Sequence, residues 1–234
     1  MRFIKTKKVS LLKKFIFTAL LLYISNLYTY ASSSLSFNTS KLISTLSKNY
    51  GERAALRGKA WLKLLNERYD SEQDKLLRTN RFFNQLRFTT DKKLWGESNY
   101  WATPVEFIGV NAGDCEDFAL AKYFTLLAIG VDDEKLRIVM VKSLTLNQYH
   151  MVVAYYETPT AEPLILDNID GRIKKSNNRK DLVPIYSFNG KKLWLNNEKR
   201  QGRVAGKPSR LKRWNDLNIR MGLNKLKQPV LSME

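Results

Sequence analysis

Cysteine and histidine each occur once in this 234-residue sequence. A single cysteine excludes an internal disulfide framework and a cysteine-rich zinc site. A single histidine excludes chemistry that needs two imidazoles, HExxH metalloprotease chemistry included. No glycine-rich phosphate loop appears, which argues against a nucleotide enzyme of that kind. Internal repeats are also missing. Acids are scarce beside bases, 22 against 40, for a formal net charge of +18. Apolar material is plentiful. Hydrophobic residues make up 44% and aromatics 12%, enough for a sizeable core and too much for a disordered chain.

The charge is uneven. Residues 1–31 hold Arg2, Lys5, Lys7, Lys8, Lys13 and Lys14 and no acid, which leaves +12 on the remainder. This basic start runs into apolar Phe15–Ile24 and then Thr29-Tyr30-Ala31, a small-x-small pattern before a serine run. The layout is that of a secretory signal peptide cleaved near Ala31, with retention as an inner-membrane anchor as the alternative. The apolar run is shorter than the roughly 20 residues a spanning helix needs. Residues 32–198 are expected to form the working domain. Residues 199–234 form a basic C-terminal segment with 10 Lys+Arg and 2 acids, interleaved with Trp214, Leu217, Ile219, Met221 and Leu223. A solvated face, an acidic partner or peripheral contact with anionic lipid at the inner membrane would each suit it.

Serine-rich residues 32–58 predict a loosely packed lead-in with short helical pieces. Helices are expected over Ala60–Arg68 and Glu72–Arg87. In the second, Leu76, Leu77, Phe83 and Leu86 fall near helical spacing behind Ser71 as N-cap. Residues 91–113 read as a long connection whose Trp95, Tyr100 and Trp101 cover a core or cleft. Gly113 and Asp114 then open a helix that is apolar around most of its circumference, hence buried, and that stops at Gly130. Leu136–Leu144, His150–Tyr156 and Leu164–Asn168 predict neighbouring antiparallel strands, and Tyr186–Leu195 extends the series. Helices followed by strands give an α+β class, not a doubly wound parallel sheet.

Cys115 stands at the start of the buried helix, where the helix dipole favours a thiolate. His150 opens a strand, and Asp167 lies near the end of the next. If those strands run antiparallel, His and Asp can face each other. Nucleophile, base and orienting carboxylate would then be in place, with the Cys115 backbone N–H as an oxyanion donor. Spacing alone leaves this suggestive, because most chains contain a Cys, a His and an Asp.

The blocks Trp101-Ala-Thr-Pro-Val-Glu-Phe107, Gly113-Asp-Cys-Glu-Asp-Phe118, Leu146-Asn-Gln-Tyr-His-Met-Val152 and Leu164-Ile-Leu-Asp-Asn168 say more in combination. Together they resemble the bacterial transglutaminase-like cysteine proteinases of the LapG type. The resemblance is close from Trp95 to Asn168. It implies a papain-like, transglutaminase-like fold, with N-terminal helices packed on an antiparallel sheet and the nucleophile at a buried helix N-terminus. It also implies a periplasmic endopeptidase that releases large biofilm adhesins by cutting near their N-termini. Such an enzyme depends on Ca2+ and is held in check by the periplasmic domain of an inner-membrane cyclic di-GMP receptor. By residue, the resemblance makes Cys115 the nucleophile, His150 the general base and acid, and Asp167 the orienter. Asp114 and Glu116 match the calcium-linked acids.

A physical reason for calcium stands beside the resemblance. Asp114, Glu116 and Asp117 crowd one thiol with carboxylates, which raises its pKa unless a cation offsets them. Oxygen ligands suit Ca2+. Asp114 and Glu116 can share an ion only if Asp114 precedes the helix or its first turn is irregular, since residues two apart do not face each other. The plainer alternative is helix capping, the role expected for Asp117. Two rival functions use the same or other features. A transglutaminase or peptidoglycan-peptide amide hydrolase would need the same triad. A basic nucleic-acid-binding protein would exploit the charge, but export removes most nucleic acid and no binding motif is present, so no nucleic-acid partner is expected.

Overall fold

Leu42, Leu46 and Tyr50 recur every four residues, and this buried stripe makes Thr39–Tyr50 a regular helix, α1. The loosely packed lead-in expected for residues 32–58 is thereby corrected over 39–58, and residues 32–38 lie outside the described residues. Serines dilute the mean hydropathy there without breaking the four-residue period. Glu52–Asn66 forms α2 and buries Ala54, Ala55, Trp61 and Leu62. It begins eight residues before the expected Ala60, because Ala54, Ala55 and Gly58 pack as small residues against α1. A Cβ at Gly58 would collide with Leu46. Glu72–Phe83 forms α3 with Ser71 as its N-cap, Asp74 N–H donating to the Ser71 hydroxyl at 3.1 Å. This helix ends four residues short of the expected Arg87, which instead starts the short strand β1, Arg87–Phe88.

The computed structural model describes residues 39–195, 202–223 and 225–232. The expected leader or anchor, residues 1–31, lies outside them. Among the described residues no helix is long and apolar enough to cross a membrane.

The long connection over residues 91–113 also needs correction, for it contains two helices. Asp91–Trp95 forms α4 and Pro104–Val110 forms α5. Thr103 and Glu106 form a capping box around Pro104, which occupies the first helical turn. Ala112–Gly113 forms β2, parallel to β1. Helix α6, Cys115–Ala128, is buried nearly all round by Phe118, Leu120, Tyr123, Phe124 and Leu126. Burying each such side chain contributes roughly 1.5–3 kcal/mol, which offsets the cost of the acids at its first turn.

The strands follow: β3 Leu136–Ser143, β4 Gln148–Tyr155, β5 Leu164–Leu166, β6 Lys174–Lys175, β7 Leu182–Phe188, β8 Leu193–Leu195 and β9 Arg203–Gly206. They form one seven-stranded sheet in the order β6-β5-β4-β3-β7-β8-β9, antiparallel at every pairing. Helix α6 packs on β4 and β3. The α+β class with helices on an antiparallel sheet is therefore as expected. The basic segment 199–234 supplies β9 and the helix α7, Lys212–Leu223. Trp214 stacks on Phe124 with centroids 5.5 Å apart and meets Phe188 edge-on at 5.2 Å. Arg220 donates to Glu106 Oε2 at 2.9 Å, to the Tyr100 hydroxyl at 2.8 Å and to the Trp101 carbonyl. Three of the segment's cations, Lys212, Arg213 and Arg220, thus sit on a helix that buries Trp214 and Leu217 in the core.

Candidate active site

Two local features aim Cys115. The β1–β2 pair fixes the backbone up to Gly113, and Thr89 N–H donates to the Gly113 carbonyl at 2.9 Å. Asp114 is then the N-cap of α6, with Glu116 N–H donating to Asp114 Oδ1 at 3.2 Å and Asp114 N–H to Asp117 Oδ2 at 3.3 Å. Asp114 lies before the helix, in extended conformation, which meets the condition for sharing an ion with a neighbouring acid. Gly113 must be glycine, for a Cβ would collide with the Asp117 carboxylate. Cys115 follows as the first helical residue, and its N–H is among those without an intrahelical acceptor.

The sulfur has two polar neighbours. Cys115 Sγ donates to Glu116 Oε2 at 2.8 Å, and the backbone N–H of Met151 lies near enough to favour the thiolate. Met151 directly follows His150 on β4, so the thiol lies one residue along the strand from the imidazole. His150 Nε2 lies 2.8 Å from Asp167 Oδ1, both residues 1% exposed. β4 and β5 are antiparallel and pair up to Val153 and Leu166, which brings the start of one strand to the end of the other. The structure therefore joins His150 to Asp167 across β4 and β5, and packs α6, which begins at Cys115, against β4. With Nε2 engaged by Asp167, Nδ1 is the nitrogen left for the thiol.

The electrostatics divide the site. Burial alone would raise the Asp167 carboxyl, but hydrogen bonding and charge from His150, the Ile169 N–H and Arg179 outweigh it and hold the carboxyl well below its usual range. Burial raises the Cys115 thiol strongly, and the Glu116 and Asp114 carboxylates push it further up. The free thiol is therefore held protonated, by burial first and by those acids second.

Asp91 and Asp117 join Asp114 in a cluster whose carboxylate oxygens lie within 4.8 Å of one another. Asp91 comes from the start of α4, three residues beyond β1, so the β1–β2 pairing is what places it beside Asp114. Asp117 Oδ1 accepts from Ala102 N–H at 2.7 Å and Asp91 Oδ2 from Tyr100 N–H at 2.6 Å, while Asp91 Oδ1 is buried without a partner. Burial, with mutual repulsion and Glu116, raises the carboxyl pKa of Asp114 and Asp117 well above normal and that of Asp91 to about 6. Three crowded oxygen donors, one with an orphaned lone pair, are the donor set of a hard cation. A second group, Asp114, Cys115 and Glu116, includes the sulfur and suits Ca2+ less well. Of the two acids expected to bind metal, Asp114 belongs to both groups and Glu116 lies against the sulfur.

Arg179 and Lys122 were not singled out by the sequence. Arg179 lies in a polar connection between β6 and β7 that shows no pattern, and Lys122 is one cation inside an apolar helix. Burial lowers the Lys122 ammonium to about 7, opposed by the Asp167 carboxylate. The unfolded chain then binds more protons than the folded one between pH 7 and about 10, so this group's contribution to stability improves as pH rises. Lys122→Met should raise stability by about 1–3 kcal/mol at pH 7 in the presence of calcium, and the gain should roughly halve by pH 9. Urea unfolding at the two pH values checks this; a gain that grows with pH would contradict it.

A single thiol at a helix start, on a helix packed against the strand whose imidazole is held by a buried carboxylate, is the layout of a thiol hydrolase of the papain-like kind. The profile of the bacterial transglutaminase-like cysteine proteinases, BTLCP, matches residues 59–200. Structures of Legionella pneumophila LapG match over the same fold. The EGTA-treated form is 41% identical, covers 79% of this chain and 98% of that one, and has a TM-score of 0.70. The calcium-bound form is 42% identical, covers 79% and 99%, and has a TM-score of 0.68. No curated protein sequence gives a match. The chain belongs to the bacterial transglutaminase-like cysteine proteinase family.

Proposed function

We propose that this protein is a calcium-dependent periplasmic cysteine endopeptidase that cleaves the N-terminal region of a large surface adhesin. Release of the adhesin would promote biofilm dispersal, and a cyclic di-GMP-responsive membrane receptor would control the enzyme through its periplasmic domain. The observation that carries the enzymatic reading is the 2.8 Å contact of His150 Nε2 with Asp167, on a strand packed against the helix that Cys115 begins. The calcium-bound LapG structure and the acid cluster support the metal. The basic leader, residues 1–31, supports export.

Cys115 is the nucleophile in this reading. Its S–H turns from Glu116 to His150 Nδ1, which takes the proton as the sulfur attacks the scissile carbonyl. The Cys115 N–H faces the developing oxyanion. The imidazolium then protonates the leaving amine, and a thioester joins Cys115 to the acyl fragment. Water, deprotonated by His150, hydrolyses the thioester and restores the thiol. Asp167 stays ionised throughout and fixes the ring. Asp91, Asp114 and Asp117 would hold Ca2+, with Glu116 able to join only by leaving the sulfur. Bound calcium would supply positive charge that offsets the acids raising the thiol pKa.

The test is incubation of the protein with the N-terminal part of a large adhesin from the same organism, with and without Ca2+, and mass spectrometry of the products. One defined cut that needs Ca2+ is expected. Amine incorporation without any cut would instead assign transglutamination.

A further inference from the structure

Asp167 meets a cation as well as an imidazole. Its Oδ1 serves His150 Nε2 at 2.8 Å and the Ile169 N–H at 3.0 Å. Its Oδ2 forms an ion pair with Arg179 Nη2 at 2.7 Å, off the line of an N–H hydrogen bond and with no other polar partner. Arg179 is held in turn by Asp181, Nε donating to Oδ1 at 3.0 Å and Nη2 to Oδ2 at 2.8 Å. Its backbone is pinned too, with Arg179 N–H donating to the Ser176 carbonyl at 2.9 Å and Leu182 N–H to the Arg179 carbonyl at 3.1 Å. The arginine is 5% exposed and Asp167 1%, so water does little to screen the pair.

We infer that Arg179 is a positioning residue for the His150–Asp167 pair. It fixes the Asp167 carboxylate plane so that Oδ1 faces Nε2 and Nδ1 faces the thiol. A buried carboxylate with no cation at its second oxygen would be freer to rotate, or would take up a proton and lose strength as an acceptor. Arg179 prevents both. Nη2 lies between Asp167 and Asp181 while Nε also holds Asp181, two donors in one plane that a lysine does not supply. Lys122 of α6 is a further buried cation acting on Asp167, through charge and not through a hydrogen bond, so it leaves the plane of the carboxylate free. The catalytic meaning of this arrangement rests on the endopeptidase reading, while the arrangement itself does not.

One histidine and one cysteine in the chain make both readouts unambiguous. The first is the proton resonance of the His150 ring N–H. The second is alkylation of Cys115 by iodoacetamide, in which the sulfur displaces iodide. Both are measured on the full chain in calcium, with circular dichroism as the check of folding. In folded Arg179→Gln the resonance should move or vanish and alkylation should slow about 10-fold, the scale typical of partners that orient a working imidazole. Asp181→Asn, at the more exposed end of the fork, should shift the same resonance less. It carries the test if Arg179→Gln does not fold. An unchanged resonance in folded Arg179→Gln, or in Asp181→Asn where the first fails to fold, overturns the inference. No substrate enters these measurements. A chain that showed both shifts yet cut no peptide would sink the endopeptidase reading and leave this one standing.

Discussion

Cys115→Ala should lower adhesin cleavage on the order of 10^4 to 10^6-fold, with the fold retained. His150→Ala should do nearly the same, because nucleophile and base act as one unit and removing either removes the covalent route. Asp167→Asn should cost less, on the order of 10^2 to 10^4-fold, since it orients the ring and does not react. The three side chains differ in burial, His150 and Asp167 being 1% exposed, so the fold is checked for each variant. Cys115 is at a helix start and is half-buried. His150 lies near the open end of β4, where Gln148 and Tyr149 are exposed. Initial rates under saturating calcium, with a melting curve for each variant, separate lost chemistry from lost structure. A Cys115→Ala protein that still cut at the parent rate would remove the nucleophile from the account.

Chelation of calcium should abolish cleavage and also reverse the pH dependence of stability. Without the ion, the folded chain keeps protons on Asp91, Asp114 and Asp117 that the unfolded chain releases near pH 4. More protons bound when folded means that stability falls as pH rises from about 4 upward. A cation that occupies the cluster takes the place of those protons, so it should stabilise more at pH 8 than at pH 5. At a hundredfold excess over its Kd it contributes about 2.7 kcal/mol. Asp91→Asn should weaken both effects, because it alters the one cluster acid that carries a buried, unpartnered oxygen. Melting temperatures in Ca2+ and in EGTA across pH 5–8 read this directly. Equal stabilisation at both ends of that range would rule out the aspartate cluster as the site.

The chemistry was legible in the sequence to the extent that it lay on regular elements. Cys115 at the mouth of an apolar helix and His150 and Asp167 at complementary strand ends follow from periodicity and antiparallel order. Asp91 did not, because its approach to Asp114 depends on the two-residue β1–β2 pairing, too short to leave a pattern. The Thr103-Pro104 start with Glu106 three residues on was a capping box in plain view. The aromatic residues around it drew the reading toward an irregular loop. Helix α1 was hidden by its serines, since composition was weighed over the four-residue spacing of Leu42, Leu46 and Tyr50. Arg179 acts only through a tertiary contact from a polar connection, and nothing local marks it.

The most direct measurement is the intact mass of the protein after acid quench during turnover of the adhesin fragment in calcium. A mass gain equal to one cleaved acyl fragment, mapped to Cys115 and absent from His150→Ala, is the expected result. Continued cutting by protein whose only thiol has been fully alkylated would contradict it.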